Sequence, residues 1–309
     1  MTGARLAVAP QHALVEEAVL RALAARPDER EFRRARDRLY RLPEGDAREH
    51  AFAALHAEWF ARLGLGEPIH AALAELSLLA EHCRQCVVVA APTRKDEGAD
   101  LLVDGAARTV LIRLRSSAFL DPGALLALLR AELLHVADMV DPAYGYEPAL
   151  PDVDGGPTYA RLLQDRYRAL WNVSVAGRLV RRAAADPTAI AQAQRGFASA
   201  FPMLGEAAPA AFERFFTADA LTHAELVAFA VAPRGAGAVE QLVPGGRCPL
   251  CRFPTHAPEA EPEHLPADLV ARITEQFPAW CPAHGLCRQC ADLYRTRAMS
   301  LAALALLPG

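Results

Sequence analysis

Residues 121–141 read DPGALLALLRAELLHVADMVD, and this stretch decides what kind of body the chain builds. Asp121-Pro122 is a helix start: an aspartate that can cap free N–H groups, then a proline whose missing N–H costs nothing in the first turn. Asp141-Pro142 is a stop. Between them apolar residues cover most of the helical circumference, so the spacing predicts one long helix buried on nearly every side. At about 100° per residue, Ala131, His135 and Asp138 fall within about 60° of one another, with Glu132 beside them. A histidine set between two carboxylates, each three residues away, can be a metal ligand, a tuned acid or base, or a core histidine satisfied by a carboxylate. Pattern alone favours the last.

Working outward, residues 86–91, 100–103 and 109–114 have the β-branched and apolar composition of short strands, and Asp104-Gly105 suits a tight turn between the last two. They predict a small antiparallel sheet. Residues 11–82 show apolar positions at helical spacing, with breaks near Pro27, Pro43 and Pro68. The charges of residues 26–41 mix both signs and read as a solvated helix face. Beyond a loop at 148–157, further helices are expected over 159–185, 188–200, 208–216 and 222–231. Residues 233–246, with four glycines and two prolines, mark a linker. The expected fold class is α+β and mostly helical: a small antiparallel sheet packed on long buried helices, followed by a zinc-binding module. The expected regions are an N-terminal helical one (1–85), a body (86–232) and the module (246–309).

A chain of 309 residues, 52% hydrophobic, can bury a sizeable core and supply two domains. Its 33 basic and 37 acidic residues leave a net charge of -4, so no global field draws it to nucleic acid or to an anionic membrane. No stretch approaches the roughly 18 apolar residues of a membrane span, and the start lacks the pattern of a secretion signal. The expectation is a soluble, unprocessed, cytoplasmic protein with a protein or peptide partner and no membrane partner. Its seven cysteines are odd in number and fall mostly in pairs separated by two residues, which suits metal thiolates in a reducing compartment better than disulfides.

Cys248-Pro-Leu-Cys251 and Cys287-Arg-Gln-Cys290 are two such pairs within 43 residues. Each can present two sulfurs from a tight turn, and four thiolates satisfy tetrahedral zinc. A closed site of this kind contributes folding free energy and no catalysis. Cys281 and His284 lie between the pairs as alternative ligands. The order C-x2-C, C-x2-H, C-x2-C resembles the first six ligands of a RING finger, without its final pair, and the four-cysteine set resembles a zinc ribbon. The resemblance implies an alternative choice of ligands, not ubiquitin chemistry. A helix over 291–307 is expected to close the module. Cys83 and Cys86, with His82, make only half a site and read as ordinary turn cysteines. A nucleic-acid role is weakened because Arg247, Arg252 and Arg288 are offset by Glu259, Glu261 and Glu263.

Short strands followed by a long buried helix carrying Ala131-Glu132-Leu-Leu-His135 resemble the zincin metallopeptidases, whose active helix carries H-E-x-x-H. The resemblance spans about residues 86–180. It implies that Glu132 would be the general base and His135 one ligand of a catalytic-type zinc. Ala131 stands where the first ligand belongs, and a methyl group cannot bind zinc. Asp138 is a candidate extra ligand, but it lies about 10.5 Å along the axis from position 131, which makes it a better partner for His135. A rival pairing of Glu132-x-x-His135 with Glu67-x-x-His70 as a di-iron bundle is disfavoured by Pro68 and by the strands. The functional expectation is therefore a zinc-binding protein whose zincin-like body has lost peptidase activity and serves protein binding or scaffolding. The alternatives are an active peptidase with a non-standard ligand set, and a nucleic-acid-binding zinc module.

Overall fold

The computed structural model of the chain describes residues 6–24, 26–151, 156–184, 187–234, 242, 244–278 and 280–305. The chain divides into two compact units, Met1–Pro233 and Arg234–Gly309.

In the first unit, strand β1 (Ala7–Pro10) leads into helices α1 (His12–Leu23), α2 (Glu29–Leu39), α3 (Asp46–Arg62), α4 (Glu67–Ala74) and α5 (Ser77–His82). Strands β2 (Gln85–Ala90), β3 (Gly98–Asp104) and β4 (Ala107–Leu114) follow, then α6 (Pro122–Val140), α7 (Gly156–Arg181), α8 (Pro187–Ala200), α9 (Ala208–Thr217) and α10 (His223–Val231). The mostly helical fold with a small sheet is thus what forms. The sheet itself is corrected from antiparallel to mixed, in the order β1-β2-β4-β3. The β3–β4 hairpin is antiparallel, with Asp104 paired to Ala107 and Gly105 in the left-handed region at φ 57°. Because β4 inserts between β2 and β3, it runs parallel to β2. β1 also pairs parallel to β2 and has no signature of its own: four residues, two of them alanine, become a strand by pairing rather than by propensity.

Strand alternation then directs the sheet. Cys86, Val88, Val110, Ile112 and Leu114 are fully buried on one face. On α6, Leu125, Leu129, Leu133, Leu134, Val136, Ala137 and Val140 are buried. Asp121 caps α6 as its position predicts, accepting from the Ala124 N–H at 3.0 Å. One continuous core takes in Leu14, Trp59, Ile69, the sheet, α6, Leu170, Phe215 and Leu226. α7 and α9 approach so closely that a Cβ on Gly177 would sit 1.8 Å from the Phe216 carbonyl oxygen, so only glycine fits. Next to this contact Arg181 donates to the Phe216 and Ala218 carbonyls.

The second unit contains α11 (Ala267–Gln276) and α12 (Arg288–Ala305). Its core is small: Leu250, Leu265, Leu269, Ile273, Trp280, Leu286, Ala291 and Tyr294 around three buried cysteines. Of the expected 233–246 linker, residues 235–241 and 243 lie outside the described residues, as do 152–155 of the expected loop and 306–307 of the last expected helix. Among the described residues, no helix is long and apolar enough to cross a membrane.

Candidate metal centre

The sulfurs of Cys248, Cys251, Cys287 and Cys290 form one group within 4.8 Å, able to hold a metal ion. Cys248 Sγ lies 3.9 Å from Cys290 Sγ, and Cys251 Sγ lies 3.8 Å from Cys287 Sγ. A disulfide requires about 2.05 Å, so these are free thiols. Four sulfurs each about 2.3 Å from a zinc ion form a tetrahedron whose edge is about 3.8 Å. The two separations match that edge, and all four sulfurs lie within 4.8 Å of one another, so the set is of the size that a tetrahedral ion needs.

Local backbone explains why the sulfurs converge. The first pair sits in a tight turn where the Cys248 N–H donates to the Phe253 carbonyl and the Arg252 N–H donates to the Cys248 carbonyl, with Arg252 at φ 62°. The second pair opens α12, where free N–H groups and the helix dipole favour negative charge. There the Cys287 N–H donates to Cys248 Sγ at 3.3 Å and the Cys290 N–H donates to Cys287 Sγ at 3.4 Å. Burial pushes the Cys248 thiol up, but backbone donors at Cys251, Cys287 and Leu250 outweigh it and leave its pKa lowered. Cys290 is pushed up by burial and then by its neighbouring thiols. Four thiolates this close repel one another unless a cation sits among them.

Cys281 and His284 stand outside this four-sulfur group. They close their own short turn, in which the Cys281 N–H donates to His284 Nδ1 at 2.9 Å. Cys83 and Cys86 are buried in the first unit, and burial pushes the Cys86 thiol up to about 12, which keeps it protonated.

On α6 the three singled-out residues have separate employment. The Asp138 carboxylate is 4% exposed and bound on both oxygens: Arg178 forks onto it at 2.7 and 2.5 Å, and the Trp171 Nε1–H donates at 2.6 Å. His135 packs edge-on to Trp171, with ring centroids 4.7 Å apart, and its Nδ1 is buried without a hydrogen bond. Burial lowers its pKa to about 4, against the pull of Asp138. Glu132 Oε2 accepts from the Ala99 N–H at 3.3 Å, at the start of β3, and burial raises its pKa. Glu132 and His135 share a cavity of about 210 Å³ with Asn172 of α7 and Gln192 of α8. Among the described residues, neither belongs to a group of three metal-ligating side chains.

Tyr144, Tyr146 and Tyr167 pack around Trp171. The Tyr144 and Tyr167 hydroxyls lie 2.9 Å apart, and the Tyr167 hydroxyl is 2.8 Å from His223 Nδ1.

A second group able to hold a metal ion, His12, Glu16 and His56, was not foreseen. His12 and Glu16 at i and i+4 are one legible half. The other half arrives from a different helix, and no spacing rule reaches across 44 positions. Comparison with family models, with curated proteins and with solved structures returns no match.

Proposed function

We propose that this chain is a zinc-binding protein in which a closed four-thiolate site stabilises the C-terminal unit and a zincin-like, non-catalytic body serves as a binding scaffold. The observation that carries the reading is the pair of sulfur separations, 3.8 and 3.9 Å, at the edge length of a zinc–thiolate tetrahedron. A closed site offers no open position for substrate, so its contribution is folding free energy.

The body's loss of chemistry rests on its ligand shortage. Ala131 occupies the first ligand position, Asp138 is engaged by Arg178 and Trp171, and His135 is left as one ligand where catalytic zinc needs three. Glu132 accepts a backbone N–H of β3. The cavity of about 210 Å³ falls below the roughly 300–1,000 Å³ of small-molecule pockets. Away from this cavity, an extended protein segment could pair with β3, an edge strand whose Leu102 and Val103 are exposed.

Metal counting on the full chain tests the module. The Cys287→Ser, Cys290→Ser double variant is expected to lose one zinc per chain, and an unchanged count overturns the assignment. For the body, denatured casein is expected to remain intact; hydrolysis that a chelator stops and Glu132→Gln abolishes would restore the peptidase reading.

A further inference from the structure

His56 is 2% exposed, and neither Nδ1 nor Nε2 has a hydrogen-bond partner. Buried polar atoms are nearly always satisfied, and an imidazole always carries at least one donor and, when neutral, one acceptor. The ring is held among aromatic neighbours: Phe32 at 5.8 Å, Phe52 at 6.4 Å and His12 at 5.6 Å between centroids. A phenylalanine would pack there without orphaned nitrogens, so packing alone does not account for a histidine.

What faces it does. His12, the first residue of α1, is exposed; Glu16, one turn later on the same face, is half-buried. One ligand atom from each of the three residues lies within 4.8 Å of the others. Among the described residues, Arg21 of this helix pairs with Glu17 and not with Glu16. Two imidazole nitrogens and one carboxylate oxygen are the donor set that borderline divalent ions accept at about 2.0–2.2 Å. His12 is exposed and Glu16 half-buried, so both can adjust toward a His56 that packing already fixes. Of the charges that bear on His56, Glu16 favours a cation there and outweighs Arg36, which opposes one.

We propose that His12, Glu16 and His56 form a second metal site, taking a divalent ion of the zinc class with open coordination positions on the solvent side. It is independent of the four-cysteine site and of the reading given to α6. Three protein ligands make it an open site, able to bind water or an anion, and they tie the start of α1 to α3.

The test is titration of the full chain, freed of metal, with Zn2+ and with Co2+ as a spectroscopic probe. Two equivalents are expected. Cobalt bound to the cysteines shows intense thiolate-to-metal charge-transfer bands, whereas the second equivalent adds only weak ligand-field bands. His56→Phe, which keeps the ring packing, is expected to abolish the second equivalent and leave the charge-transfer bands. His12→Ala and Glu16→Gln change side chains outside the core, so their folding is not at risk. Each should weaken the second equivalent by more than the roughly 10- to 100-fold that loss of an outer-shell partner costs. Saturation of the wild type at one thiolate-bound equivalent overturns the proposal, as do two equivalents retained in all three variants. Missing charge-transfer bands would instead sink the four-cysteine site, so the two failures are distinguishable.

Discussion

The cluster of ionisable side chains around α6 and the one in the second unit differ in what satisfies them. Around α6, Asp138 is neutralised by Arg178 and hydrogen-bonded by Trp171, and Glu132 holds a backbone N–H, so protein groups engage both carboxylates, while His135 Nδ1 stays buried without a hydrogen bond. In the second unit, four sulfurs face one another across 3.8–3.9 Å edges with only backbone N–H donors to offset their charge. The difference teaches that convergence of chemical groups is not itself a site. Carboxylates that the protein itself engages belong to the core, whereas four facing sulfurs that could hold a metal ion are a candidate ligand site. The apolar cores follow the same division. Among the described residues, the first unit has a continuous core from α1 to α10, whereas the core of the second has eight buried non-cysteine residues. At that size a staple is normally needed.

The strongest way to break the comparison is to chelate any metal that the four sulfurs hold. Structural zinc contributes on the order of 10 kcal/mol in small modules, so chelation or the Cys287→Ser, Cys290→Ser change should unfold the second unit. Hydrogen exchange should show lost protection across residues 244–305 and unchanged protection in α6 and β4. Equal loss in both units would mean that the two are one cooperative structure. Asp138→Ala comes next. It strands the Arg178 guanidinium, whose side chain is 20% exposed, and leaves the Trp171 N–H unpaired. Breaking a buried pair from one side costs about 3–5 kcal/mol. Urea denaturation should show this loss equally with and without chelator, and a loss that vanishes on chelation would make Asp138 a metal ligand after all.

What was legible in the sequence follows the same line. α6, its aspartate cap and its stop at Asp141 were readable because they depend on neighbours within a few positions. The two C-x2-C pairs were readable because knuckle geometry is local. The parallel pairing of β1 with β2 was not, since Ala7–Pro10 becomes a strand only through residues 78 positions away. The Asp138–Arg178 pair joins two helices across 40 positions, so the sequence showed a carboxylate near His135 and hid the guanidinium that engages it. His56 escaped for the same reason.

A smaller test concerns pH. His135 has a folded pKa of about 4 against an ordinary 6.5, so below pH 6.5 the unfolded chain takes up a proton that the folded one refuses. Stability should therefore fall as the pH drops from about 6.5 to about 4, by at most about 3 kcal/mol at 1.36 kcal/mol per unit. His135→Phe should remove that part of the slope. A slope unchanged by the substitution would place the ring in contact with water or an ion that the core reading does not allow.

The smallest effect, and the one most specific to the peptidase question, is Glu132→Gln. Burial raises the Glu132 pKa, so the folded state holds its proton to higher pH than the unfolded one, and stability is lost as pH rises through that interval. At neutral pH the glutamate is therefore a mild burden that an amide lacks. Glutamine also keeps an oxygen for the Ala99 N–H. The variant should gain up to about 1 kcal/mol at pH 7, in the range of a net hydrogen-bond effect, and nothing at pH 4. Its metal content should match the wild type. A working general base would show the opposite pattern, stability unchanged and activity gone, because its carboxylate would be held by a metal-bound water rather than by the edge of the sheet.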